Sequence, residues 1–242
     1  MGSTWVLLRG LMREARHWGE FPAALRAQLP AAEVVTLDLP GNGRLYRSSS
    51  PLRVEEMAEC VRSELSARGI APPYHLLGLS MGAMVAVAWA TLHPQELRGC
   101  VLINSSLRGL DPFYRRLRPR AWPSLPTLIG GNAVQQERAI LRLTSCRGDA
   151  QPAILDAWAA YRRESPVTRR NALRQLIAAA LYRAPARGPA TPVLVLASAL
   201  DALVDPRCSR HLAAHLNAAL AIHPGAGHDL PLILNARREA LD

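Results

Sequence analysis

One serine stands where the chain changes period. Residues 75–79, His75-Leu-Leu-Gly-Leu79, are a strand-like apolar run, and Met81-Gly-Ala-Met-Val-Ala-Val-Ala-Trp89 has helical apolar content. Between them lies Gly78-Leu79-Ser80-Met81-Gly82, a G-x-S-x-G pattern in a strand–turn–helix context. Such a turn holds the serine in a strained conformation with its hydroxyl off the sheet edge, and small residues at 78, 82 and 83 let strand and helix approach closely. A hydroxyl becomes a nucleophile only when a base takes its proton and an acid orients that base. Gly225-Ala-Gly-His228-Asp229, a glycine-rich loop after the last strand-like run, offers His228 as the base. Two acids follow the run 193–198. Asp205 precedes Pro206 at the start of a helical pattern and reads as a helix N-cap. Asp201 has no such local employment and is the preferred orienting acid, with Asp205 as the alternative.

The other chemically capable residues point elsewhere. His211 and His215 share a helix face at i, i+4 but lack an intervening Glu and an evident third ligand, so no metal site is expected. His17 and His75 read as packing or loop residues. Cys60, Cys100, Cys146 and Cys208 show no C-x-x-C spacing and are expected to be reduced and structurally passive. No cofactor is implied, and Asp38-Leu-Pro-Gly-Asn-Gly43 carries neither a dinucleotide nor a Walker phosphate-loop pattern.

These residues must be positioned by an alternating architecture. Strands are expected at 4–8, 33–37, 75–79, 99–104, 193–198 and 219–223, and helices at 18–29, 53–68, 81–93, 206–217 and 230–241. Continuous apolar strands alternating with helices predict an α/β fold, a mostly parallel central sheet with helices on both faces. The alternation stops for almost ninety residues before 193, where proline-punctuated helical spacing predicts an inserted helical cap. The expected organisation is a core of 1–104 and 190–242 with a cap at 105–189.

With 242 residues the chain can bury about 70–75% of its unfolded surface. The formal charge of +10 divides as +1 over residues 1–103, +10 over 104–187 and −1 over 188–242. All 29 basic residues are Arg. Arg115, Arg116, Arg118, Arg120, Arg162, Arg163, Arg169 and Arg170 can be read as a basic face for an acidic partner or as ordinary solvated helix faces in a Lys-free chain. The aromatics nearby suit a cap core, so nucleic acid is not expected as partner. The N-terminus offers only the apolar stretch Val6-Leu7-Leu8 before Arg9, too short for a signal-peptide core, and no run approaches the roughly 20 apolar residues of a membrane span, so a soluble cytoplasmic protein is expected.

Gly10 after the first strand, the turn 38–43, the elbow 78–82, Asp201 and His228 together resemble the α/β-hydrolase fold family over nearly the whole chain. The resemblance extends to small serine esterases with a helical cap, the pimeloyl-[acyl carrier protein] methyl ester esterase type among them. It implies hydrolysis of a small-molecule carboxylic ester through an acyl-enzyme on Ser80, with His228 and Asp201 as base and acid. Backbone N–H groups of Leu11 and Met81 would form the oxyanion hole, with Gly10 letting the chain turn tightly enough to aim the Leu11 amide. It also implies substrate contacts from Arg9, Trp18, Phe113 and Tyr114, and an acidic acyl carrier protein as a conceivable partner of the Arg-rich cap. Thioesterase, lactonase and C–C hydrolase chemistries share this machinery, and a catalytically idle receptor is the alternative from another class. The family usually has His-Gly after the first core strand; here it is Arg9-Gly10. Arg9 can brace the loop or place a cation near the acyl group, with bracing preferred.

Overall fold

The computed structural model describes residues 3–146 and 152–232. Six strands, β1 (Thr4–Leu8), β2 (Glu33–Leu37), β3 (Tyr74–Leu79), β4 (Leu97–Ile103), β5 (Val193–Ser198) and β6 (Ala219–His223), form one sheet in the order 2-1-3-4-5-6. Every neighbouring pair is parallel. Helices α1 (Phe21–Gln28), α2 (Val54–Ala67), α3 (Met81–Leu92) and α9 (Pro206–His215) are the crossovers. Between β4 and β5 come α4 (Phe113–Arg116), α5 (Leu125–Gly130), α6 (Ala133–Thr144), α7 (Pro152–Glu164) and α8 (Arg169–Leu181). The expected strands and core helices recur within one or two residues, except that 18–29 divides into a 3-10 turn at Ala15–Trp18 and α1. Most of the helix expected at 230–241 lies outside the described residues.

The strands are apolar on both sides because both faces are covered. Val6 and Leu8 of β1 face a large cluster with α2 and α3, whereas Leu7 faces Trp18, Val34, Leu77 and Ile103 on the opposite side. Helix α3 is buried from Met81 to Ala90, so it needs no polar face.

The strand order reverses direction at β1. The chain leaves β1 outward to β2 and returns to β3 on its other side, so the loops after β1 and β3 diverge and leave a crevice at their carboxyl ends, where parallel α/β sheets place their ligands. The helices following β4 roof this crevice. No described helix is long and apolar enough to cross a membrane.

Close approach at the β3–α3 junction is severe. A Cβ on Gly82 would sit well inside van der Waals contact of the Leu8 carbonyl oxygen, and one on Gly78 would strike the Gly82 carbonyl. At Gly99 in β4 a Cβ would meet only ordinary contacts at 3.6 Å. Gly82→Ala is therefore expected to cost about 3 kcal/mol or more, and Gly99→Ala about 0.5 kcal/mol or less, in urea unfolding.

Candidate active site

The turn between β3 and α3 puts Ser80 at φ 56°, ψ −113°, a conformation costing a non-glycine residue about 1–3 kcal/mol. Its neighbours over-determine it. The Ser80 N–H donates to the Ile103 carbonyl at 2.8 Å, and the Ser105 hydroxyl donates to the Ser80 carbonyl at 2.8 Å. Gly10 lies directly alongside: a Cβ there would stand 3.1 Å from the Cβ of Ser80.

His228 comes from the loop after β6 and Asp201 from the loop after β5. They meet at 2.7 Å between His228 Nδ1 and Asp201 Oδ2, and both are buried. The other Asp201 oxygen accepts the amides of Leu203 and Val204 at 2.8 and 2.9 Å, which fixes the carboxylate plane. Asp205 accepts the Arg207 amide at 2.9 Å and caps α9; hydrogen bonds from Arg207, first its side chain, pull its pKa down to about 2. The His228 loop is also pinned by Asn104 (φ 47°), at the end of β4, whose amide donates to the His228 carbonyl at 2.7 Å and to Ser198 Oγ at 2.8 Å. Nothing in the sequence marked Asn104, because its role depends on three distant loops converging.

Ser80 and His228 line one cavity of about 400 Å³ beneath the helices that follow β4. Its walls are mainly apolar, including Met84, Leu117, Leu128, Ile140, Leu143 and Leu176. Leu11 and Met81 line it too, and their backbone N–H groups donate to no described residue. No hydrogen bond joins the Ser80 hydroxyl to His228 among the described residues; in enzymes without substrate such bonds are commonly long.

The loop after β1 is shaped differently from the sequence expectation. Residues 10–13 form a turn closed by Arg13 N–H to the Gly10 carbonyl at 3.2 Å, and the positive φ falls on Met12 (58°), not on Gly10. Gly10 is required for room beside Ser80. Met12 is held by the cap: its amide donates to Gln175 Oε1 of α8 at 2.9 Å, and its carbonyl accepts from Arg162 Nη2 of α7 at 3.3 Å. Arg13 and Arg162 both pair with Glu137 of α6, which is fully buried. Periodicity could not distinguish these inward-facing polar residues from the solvated faces of amphipathic helices.

Arg9 is 2% exposed and grips Asp229, the residue after His228, through two hydrogen bonds of 2.9 and 2.5 Å. Its guanidinium also lies over the Trp18 ring, 4.9 Å from the centroid. Arg9 touches the cavity wall, but its charge is committed to Asp229. Two expected substrate contacts are not brought to the cavity wall. Trp18 is fully buried, packs on Phe21 below Arg9 and does not line the cavity. Phe113 lines the cavity, whereas Tyr114 does not: successive residues of the short α4 point about 100° apart, and the Tyr114 and Phe113 rings meet edge to face.

The cap arginines mostly face inward or clasp carbonyls. Arg116 donates to the Ala179 and Ala180 carbonyls, Arg118 and Arg120 to the Asp201 carbonyl at 2.7 and 3.1 Å, and Arg162 is buried. Of the eight singled out, Arg163, Arg169 and Arg170 are exposed without a described partner. His211 pairs with Asp111 and His215 with the Pro185 carbonyl, and no group of three metal-ligating residues occurs among the described residues.

The model of the Alpha/beta hydrolase family matches residues 5–241. The chain belongs to the alpha/beta hydrolase family. Among curated relatives of this chain, the polyketide synthase ThaQ of Burkholderia thailandensis is 32% identical over 84% of the chain, which spans only a tenth of that protein. A protein named as a carbamate hydrolase, RutD of Caulobacter segnis, is 32% identical over 87% of the chain and 78% of its own length. The enol-lactonase of Burkholderia xenovorans shares the hydrolase fold at TM-score 0.79 and 18% identity, covering all of this chain and 90% of its own.

Removing Arg9 alone strands a buried carboxylate, so Arg9→Met is expected to lower stability by about 3–5 kcal/mol. Arg9→Met combined with Asp229→Leu should recover about half of that loss or more in urea unfolding. Additive losses would show that the two side chains do not act as a pair.

Proposed function

We propose that this alpha/beta hydrolase is a serine esterase that cleaves carboxylic esters of apolar acyl groups through an acyl-enzyme on Ser80. The observation that carries the reading is the buried 2.7 Å His228–Asp201 bond beside Ser80 in one mainly apolar cavity. In the proposed reaction Ser80 Oγ attacks the ester carbonyl carbon while its proton passes to His228 Nε2. Asp201 accepts from Nδ1, keeping the lone pair on Nε2 and stabilising the imidazolium that forms. The amides of Leu11 and Met81 receive the developing oxyanion; Met81 sits at the first position of α3, where the helix dipole adds positive potential. Collapse of the tetrahedral intermediate breaks the C–O bond, and His228 returns the proton to the leaving alcohol. Water then repeats the sequence on the acyl-enzyme, releasing the acid and restoring Ser80.

Arg9 acts on this chemistry through position. It fixes Asp229, hence the backbone that carries His228, and contributes no charge to the substrate. The cavity size lies within the 300–1,000 Å³ common for small-molecule sites, and its wall favours an aliphatic or aromatic acyl chain.

A chain-length series of p-nitrophenyl esters tests the reading. We expect kcat/KM to rise from acetate to hexanoate, to fall by about 10⁴-fold or more in Ser80→Ala, and by about 10⁴-fold in Asp201→Asn. Equal hydrolysis by wild type and Ser80→Ala would overturn it.

A further inference from the structure

A second, much smaller cavity of about 10 Å³ lies behind the turn 10–13, between the loop after β2 and the cap. Arg13, His17, Asn42, Glu137 and Arg162 line it, and every one of them is more than nine-tenths buried. Five side-chain atoms of this lining have no hydrogen-bond partner among the described residues: Arg13 Nε and Nη2, Arg162 Nη1, Asn42 Nδ2 and His17 Nε2. Guanidinium and amide nitrogens can only donate. His17 Nδ1 stands 3.0 Å from the Glu14 amide nitrogen and 3.2 Å from the Glu14 carbonyl oxygen; with Nδ1 accepting from the amide, the ring proton is on Nε2. Four of the five unpartnered atoms are therefore donors in every state, and His17 Nε2 is a fifth in the Nε2–H tautomer.

The carboxylates nearby are already engaged. Arg16 takes both oxygens of Glu14, Arg9 takes both of Asp229, and the single charge of Glu137 is divided between Arg13 and Arg162. The surroundings respond to this shortage of negative charge. Burial, and then the neighbouring Arg9 and Arg162, pull Arg13 down to about 10 against the opposing pull of Glu137. Burial together with Arg13, Arg9 and Arg162 holds His17 well below its ordinary range and neutral. A buried cation without a matched anion is costly.

We propose that this cavity binds one monatomic anion, chloride in ordinary media, held by Arg13, Arg162, Asn42 and His17. The volume suits one small, water-sized occupant better than a polyatomic anion such as phosphate or sulfate. A water molecule would have to donate two hydrogens, whereas four of the five unpartnered side-chain atoms here can only donate. The anion would join three segments that share no covalent continuity: the turn carrying Leu11, the 38–43 loop and the helices α6 and α7. This site does not depend on the ester chemistry, and its test reads density and stability rather than activity.

Crystals of the full chain soaked in sodium bromide, with anomalous data at the bromine edge, should show one peak within contact of Arg13, Arg162 and Asn42. In solution, Tm should rise with the logarithm of sodium chloride or bromide concentration when sodium gluconate holds ionic strength constant. Asn42→Asp keeps the oxygen that accepts from Gln175 at 2.9 Å and replaces the unpartnered NH₂ with a carboxylate oxygen. It should abolish the halide-dependent shift. A water without anomalous signal at the cavity, a Tm indifferent to halide, or an undiminished halide shift in Asn42→Asp would each overturn the proposal.

Discussion

A guanidinium removed from water must find its counter-charge inside, and Arg9 finds it 220 residues later in Asp229. This constraint orders the rest of the crevice. The chain must bring the loop after its first strand against the loop after its last one, or leave two charges buried apart at a cost of several kcal/mol. Because Asp229 follows His228 directly, the same ion pair sets the backbone from which the imidazole projects. Asn104 secures the other side of that backbone, and Asp201 orients the ring itself. Three elements thus converge on one histidine, each through a buried polar contact with a definite direction.

The helical roof belongs to the same system. Met12 stands in left-handed backbone that a branchless glycine would adopt more cheaply, and it stays there because Gln175 and Arg162 hold its amide and carbonyl. Leu11 is presented to the cavity by a turn whose geometry is fixed from above. The Asp229 amide likewise donates to the Thr144 carbonyl at the end of α6 at 2.9 Å. The helices between β4 and β5 therefore shape both sides of the crevice as well as supplying its apolar wall. Arg118 and Arg120 extend the pattern to the Asp201 loop, which explains part of the cap's positive charge without any partner.

The alternation of strands and helices was legible in the sequence because period, apolar continuity and proline placement are local signals. Ser80, His228 and Asp201 were legible because glycine-rich turns and the helix-cap role of Asp205 narrow the choices locally. The polar contacts among distant segments were not. Glu137, Arg162 and Gln175 look like solvated helix faces until the fold turns them inward, and Trp18 looks like a pocket aromatic until Arg9 is found lying across it. Gly10 illustrates the difference most clearly: a glycine after a strand suggests a conformational need, yet the need is for space beside Ser80, and the unusual backbone falls two residues later on Met12.

The central claim is that Ser80 is a nucleophile activated by its surroundings, and covalent capture addresses it directly. Wild-type protein incubated with a fluorophosphonate and examined by intact and peptide mass spectrometry should carry one adduct per chain, on Ser80, with labelling strongly slowed in His228→Gln. Labelling elsewhere in the chain at the same rate, or labelling of Ser80 unaffected by loss of His228, would contradict the account.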